Sequence, residues 1–162
     1  MLEAFFSAAI KFTWNKTVGL ACRKFFKKKA LTIEEIKKKT QILFVDDESF
    51  DHLTVAIRDA GWNVRQINDI TNIHNEEIKN ADIIFMDFKG VGVKLTPTKE
   101  GIGLMAHLRK NYPKKHIIFY SGSAGFVPGY EVMGIANEWI QKSADPFEYL
   151  DRIEAAAHSI YG

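Results

Sequence analysis

The sequence predicts an α/β fold, a five-stranded parallel sheet doubly wound with helices on both faces, carrying an N-terminal helical extension. Two observations predict the sheet. From residue 41 onward, short apolar runs alternate five times with amphipathic stretches. Most of these runs are apolar at successive positions rather than at every second one, the pattern of strands covered on both faces. The composition supports a core of that size. The chain has 162 residues, 46% apolar and 26% charged, and folding at this length buries roughly 70% of the unfolded surface with no disulfide or structural metal required.

The first forty residues differ in charge. They hold ten Lys+Arg against three Glu, whereas residues 41–162 hold twelve Lys+Arg against seventeen Asp+Glu. From Trp14 to Phe26, the apolar residues Trp14, Val18, Cys22 and Phe25 recur at helical spacing, with Lys16, Arg23, Lys24 and Lys27 on the other side of the wheel. Gly19 and Leu20 interrupt the pattern, so one bent helix or two short ones are expected. Three roles stay open for residues 1–29: association with a partner or a second copy to form a homodimer, attachment to a membrane surface, and packing on the same chain. Basic amphipathic segments with Trp and Phe bind anionic lipid, which is the case for the second. Nucleic acid is not an expected partner, because the lysines lie beside large apolar residues and no recognition-helix pattern follows. Residues 27–40 close on Lys37-Lys38-Lys39 and read as a solvated linker or exposed helix. The expected division is therefore 1–40 as a basic extension with its linker and 41–162 as the α/β domain.

No stretch reaches the 18 or so uncharged apolar residues of a membrane span, and none has the layout of a secretory signal. One cysteine, Cys22, excludes a disulfide framework and a cysteine-rich zinc site. A cytoplasmic location is expected, with peripheral membrane attachment open through residues 1–29.

The elements follow in order. Gln41–Val45 (QILFV) reads as the first strand, and Leu53, Ala56, Ile57 and Ala60 as the next helix, stopped by Gly61. Trp62–Ile67 reads as the second strand, Asn75–Asn80 as a helix, and Ile83–Met86 as a third strand ending in Asp87. A loop rich in Gly, Lys and Thr runs from Phe88 to Lys99. Leu104, Met105 and Leu108 mark a helix ending near Asn111, before Pro113. Ile117–Tyr120 is the fourth strand, Tyr130–Ala136 a weaker helix and Glu138–Gln141 the fifth strand. Pro146 opens a last helix through His158, since proline suits a first helical turn.

Ligands of open parallel sheets bind beyond the carboxyl ends of the strands. At those ends the sequence places Asp46 and Asp47, Asp87, Ser121 and Lys142. Converging carboxylates repel one another, so a cation is expected among them. Oxygen donors without a His or Cys cluster favour Mg²⁺ over a transition metal. An ammonium and a hydroxyl beside that ion suit a phosphoryl group carried on a carboxylate.

The stretch from about 41 to 159 resembles the receiver domain of bacterial two-component response regulators. The motifs that carry the resemblance are ILFVDDES, IIFMDF, EGIGLMAHLR, IIFYSGSAG and EWIQKSADPFEYLDRI. The resemblance implies a flavodoxin-like sheet in the order 2-1-3-4-5. It implies that Asp87 is the phosphoacceptor, that Asp47 and Asp87 ligate Mg²⁺ directly and Asp46 mostly through water, and that the Lys89 carbonyl is a further ligand. Ser121 is implied to hydrogen-bond the phosphoryl group and Lys142 to pair with it. Trp139 stands where the family has a Tyr or Phe that turns inward on activation; plain core is its other reading.

Three departures accompany the resemblance. The loop between Asp87 and Glu100-Gly101 is longer than usual and lacks the family's Met-Pro; Lys142 is followed by Ser143 instead of proline; and Trp139 is bulkier than the usual aromatic. Lys89 either faces solvent or pairs with Glu48, or it hinders the hydrolytic water.

The function implied is a phosphorylation-controlled signalling switch, a stand-alone response regulator fed by a histidine kinase or phosphotransfer protein and signalling to a downstream protein by binding. It would be no enzyme beyond its own phosphoryl transfer and loss. With Gly162 as the last residue, no output domain is expected after the receiver. A receiver-like scaffold that works without phosphorylation is the alternative. A haloacid-dehalogenase-type phosphatase fits less well, since it needs Asp-x-Asp after the first strand, where this chain has Asp46-Asp47-Glu48.

Overall fold

The computed structural model describes residues 30–122 and 129–162. The amphipathic stretch 14–26, and with it every role considered for residues 1–29, lies outside them. Residues Leu31–Gly162 make one compact unit. Its elements are α1 (Ile33–Lys39), β1 (Gln41–Val45), α2 (Asp51–Asp59), β2 (Asn63–Ile67), α3 (Glu76–Asn80), β3 (Ile83–Asp87), α4 (Glu100–Asn111), β4 (His116–Ser121), α5 (Tyr130–Met133), β5 (Glu138–Gln141) and α6 (Pro146–Tyr161). The five strands form one sheet in the order β2-β1-β3-β4-β5, and every pairing is parallel. Both the class expected from the apolar runs and the implied order are observed.

Side chains alternate along each strand, so the sheet presents two apolar faces. On one, Phe44, Phe85, Tyr120 and Ile140 pack against Ile36 of α1, Ile57 of α2, and Tyr149 and Ile153 of α6. The centre of this face is aromatic: Phe44 and Phe85 stack with ring centroids 4.3 Å apart, and Tyr120 meets both edge-on. On the other, Leu43, Val45, Ile84, Met86 and Phe119 pack against Ile78 of α3, Val132 of α5, and Leu104, Met105 and Leu108 of α4.

The lysine-rich segment before the sheet is more than a solvated linker. Thr32 accepts the Glu35 amide and the Glu35 carboxylate accepts the Thr32 amide, a reciprocal cap that starts α1. Glu34 and Glu35 in its first turn and three lysines in its last complement the helix dipole. Ile36 is fully buried, and Lys37 Nζ caps the end of α2 by donating to the Ala60 carbonyl at 2.9 Å. Within the compact unit Leu31–Gly162, α1 thus packs with the sheet through Ile36. One buried residue in a seven-residue helix leaves no apolar period to read.

Two boundaries also shift. Trp62 is buried, but its amide donates to the Ile57 carbonyl, so it finishes α2 and the strand begins at Asn63. Gly61 makes that turn with φ +91°, where residues with a Cβ are rarely found. The helix expected over 130–136 stops at Met133, after which the Ile135 and Ala136 amides both turn back to the Val132 carbonyl. Among the described residues no helix is long and apolar enough to cross a membrane.

Candidate active site

Register explains why the polar residues meet. Val45 lies opposite Met86, so Asp46 and Asp87, one residue further on, stand level at the carboxyl edge. Asp87 lies opposite Tyr120 and Ser121 opposite Gln141. Beyond β5 the Lys142 amide donates to the Ser121 carbonyl at 3.0 Å, which extends the ladder to the lysine. By alternation, Asp46 and Asp87 share the face of Phe44 and Phe85, and Lys142 shares that of Ile140. The acidic group therefore sits directly above the aromatic floor.

Asp46 is fully buried and Asp87 is 5% exposed. Lys142 Nζ lies 2.8 Å from Asp46 Oδ2, 2.8 Å from Asp87 Oδ2 and 3.4 Å from Glu48 Oε2. Asp46 Oδ1 accepts the Glu48 amide at 2.8 Å, and Asp87 Oδ1 accepts the Phe88 amide at 2.6 Å. Neither Asp46 nor Asp47 caps the following helix: the N-cap of α2 is Phe50, with no side-chain cap hydrogen bond.

Burial raises the Asp87 carboxyl above the ordinary aspartate value; the Lys142 hydrogen bond opposes this, and the Asp46 charge adds to it. Burial alone would lower the Lys142 ammonium, but its bonds to Asp46 and Asp87 outweigh that and raise it. The Tyr120 hydroxyl is buried without a hydrogen bond of good geometry. Burial first, and then the Asp46 carboxylate, push its ionisation far upward, so it stays a neutral phenol.

Each residue singled out from the sequence can now be placed. Asp46, Asp47 and Asp87 offer carboxylate oxygens within 4.8 Å of one another. Asp47, Asp87, Lys89, Ser121 and Lys142 line one open cleft of about 440 Å³. Ser121 is 4% exposed. Lys89 is exposed, and among the described ion pairs Glu48 is held by Lys142. Trp139 is half-buried on β5, packed against the second apolar face rather than in the cleft.

The donor set fits a hard divalent cation. It is all oxygen, three carboxylates face one ammonium, and Asp46 Oδ2 carries the Lys142 charge as its partner without a hydrogen bond of good geometry. Asp47 is exposed and open to such an ion from the cleft side.

The long loop after Asp87 is built rather than slack. Val91 is fully buried, Asp69 accepts the Gly92 amide, and the Thr96 hydroxyl donates to the Glu100 carbonyl at 2.8 Å with the Gly92 carbonyl 3.0 Å away. Two close approaches depend on glycine. A Cβ on Gly90, whose φ is +77°, would fall 2.3 Å from Asp47 Oδ2, and one on Gly101 would fall 2.1 Å from the Asp87 carbonyl. The sequence reading missed Glu100, whose carboxylate accepts the Gly90 amide at 3.2 Å, and Tyr120. Tyr120 left one trace, a polar tip inside a buried strand one residue before Ser121; Glu100 left none beyond its place before Gly101.

No protein-family model matches the sequence, and a search of curated proteins finds no match. Solved structures do resemble it. A response regulator receiver domain protein from Clostridium thermocellum superposes with a TM-score of 0.61 at 21% identity, over 74% of this chain and 95% of that one. One from Methanospirillum hungatei gives 0.56 at 20% identity, over 75% and 95%. A response regulator from Burkholderia pseudomallei, solved with a phosphorylated aspartic acid, calcium ion and citrate, gives 0.54 at 19% identity, over 75% and 70%. The fold of this chain is thus the fold of response regulator receiver domains.

Proposed function

We propose that this chain is a phosphorylation-controlled switch whose phosphoacceptor is Asp87. The observation that carries the reading is the position of that carboxylate: at the strand edge, beside Asp46 and Asp47, and bonded by Lys142 at 2.8 Å. The donor is a phosphohistidine on a kinase or phosphotransfer protein. An Asp87 oxygen attacks phosphorus, the phosphorus–nitrogen bond breaks, and the imidazole leaves with the electron pair, giving an acyl phosphate.

Asp46, Asp47, Asp87 and the Lys89 carbonyl would hold Mg²⁺, which offsets negative charge on the transferring group. Lys142 supplies a second positive charge to that group and holds Asp87 in place before transfer. Ser121 donates its hydroxyl to a phosphoryl oxygen. The bond that Ser121 makes on phosphorylation shifts the population between two shapes of the β4–β5 surface, where Trp139 stands, and a downstream protein reads the shape.

The test is intact-mass measurement of the full chain after acetyl phosphate and Mg²⁺, with Asp87→Asn alongside. Gain of one phosphoryl group by the native chain alone is the expected result. If the native chain stays folded and gains nothing, it is a scaffold that works without phosphorylation.

A further inference from the structure

The Lys89–Gly90 peptide is held from two sides. Its N–H donates to Glu100 Oε2 at 3.2 Å. Its Gly90 end packs so closely on Asp47 that a Cβ there would lie 2.3–2.5 Å from the carboxylate atoms. A peptide group is planar and trans, so its N–H and C=O point in opposite directions as one rigid unit. Whatever holds the Gly90 N–H therefore also sets where the Lys89 carbonyl points. Lys89 lines both the acidic cleft and a neighbouring cavity of about 250 Å³ that Glu100 also lines, so this peptide forms part of the wall between them.

Glu100 is itself held in a costly conformation. Its φ is 42°, the only positive value on a non-glycine among the described residues, and residues with a Cβ adopt that region mainly where their surroundings force it. Here the Thr96 hydroxyl bonds the Glu100 carbonyl at 2.8 Å, and the Glu100 amide bonds the Thr96 carbonyl at 2.7 Å. The next residue, Gly101, lies against the Asp87 carbonyl where a Cβ would fall 2.1 Å away. The first turn of α4 is thus pressed onto the backbone of Asp87 with the Glu100 carboxylate directed back at Gly90.

We infer that Glu100 is a positioning residue for the divalent-cation site: by holding the Gly90 N–H it aims the Lys89 carbonyl, and so sets how regular a coordination shell the site can offer. The inference rests on the reading of Asp46, Asp47, Asp87 and the Lys89 carbonyl as the ion's ligands. Mg²⁺ demands a near-regular octahedron, whereas Ca²⁺ accepts irregular shells. Loss of the clamp therefore lowers Mg²⁺ affinity more than Ca²⁺ affinity, a change of selectivity that simple loosening of the fold does not produce.

The experiment is calorimetric titration of the full chain with Mg²⁺ and with Ca²⁺, comparing the native protein with Glu100→Ala, Glu100→Gly and Glu100→Gln, each first shown to be folded by circular dichroism. Glu100→Ala is expected to lose about ten-fold in Mg²⁺ affinity, as outer-shell partners commonly do, and less than about three-fold in Ca²⁺ affinity. Glu100→Gly relieves the backbone but lacks the acceptor, and should match Ala. Glu100→Gln keeps a neutral acceptor and should retain the native selectivity. Equal losses for both ions in Ala, native Mg²⁺ affinity in Gly, or a Gln variant as weak as Ala would each overturn the clamp. A native chain that binds no Mg²⁺ overturns the proposed function together with the clamp; a native chain that binds it while Glu100→Ala binds it equally well overturns the clamp alone.

Discussion

The two edges of the sheet use charge in opposite ways. At the amino edge, Arg109 and Lys115 end on backbone carbonyls, while Arg152 pairs with Glu138 at 2.9 Å. Arg109 donates to the carbonyls of Ile135 at 2.8 Å and of Pro113 and Lys115 at 3.0 Å, and also to the Asn137 side chain. Lys115 Nζ donates to the carbonyls of Lys79 and Ala81, and the Asp82 carboxylate accepts the Gln41 amide at 2.9 Å. These contacts give partners to loop groups that no strand pairs. At the carboxyl edge, three carboxylates converge and Lys142 serves two of them at once. The first edge is satisfied within the chain; the second is short of positive charge. A charge that ends on backbone holds structure, and carboxylates that outnumber their one ammonium leave room for a cation.

Breaking the satisfied edge should cost most. Arg109→Met leaves several carbonyls without a donor and is expected to lower the unfolding free energy by about 3 kcal/mol, measured by urea unfolding, with Mg²⁺ affinity unchanged. A parallel loss of Mg²⁺ affinity would show the edges are coupled.

Lys142→Met removes the ammonium shared by Asp46 and Asp87. In chelator it should cost about 2 kcal/mol, because two mostly buried carboxylates lose their partner, and added Mg²⁺ should restore most of that. Failure of Mg²⁺ to rescue the variant would mean the site takes no cation.

The smallest effect concerns pH. Burial raises the Asp87 carboxyl in the folded chain, so the folded state binds its proton more tightly than the unfolded state does. The stability this contributes is fully present below the ordinary aspartate value and is lost as pH rises through the folded value. Without divalent ions, Asp87→Asn should therefore raise the melting temperature at pH 7 by a few degrees and flatten its fall on the way up from acid pH. A lower melting temperature at pH 7 would show that the Lys142–Asp87 bond outweighs the burial of the charge.

The sheet was legible because β1, β3 and β4 are apolar on successive positions, and the residues at the strand ends were legible because a parallel register brings them to one edge. Asp46, Asp87 and Lys142 could be placed together from strand ends alone, and their contacts follow. What escaped were contacts between groups far apart in the chain with no period to announce them. Glu100 reaches Gly90 across a loop, Asp69 reaches Gly92 from another, and Arg109 gathers carbonyls from two loops. Ile36 escaped for the opposite reason, since a single anchoring residue among lysines looks like a solvated run.

The stacked rings beneath the acidic group have a mechanical consequence. Phe44 and Phe85 lie parallel within 3°, Tyr120 stands edge-on to both, and Tyr149 leans on them from α6. Close-packed interiors resist compression, so this stack acts as an anvil. A displacement at Asp87 would meet this stack directly beneath it, so the direction left to it would be outward, toward the carboxyl ends of β4 and β5.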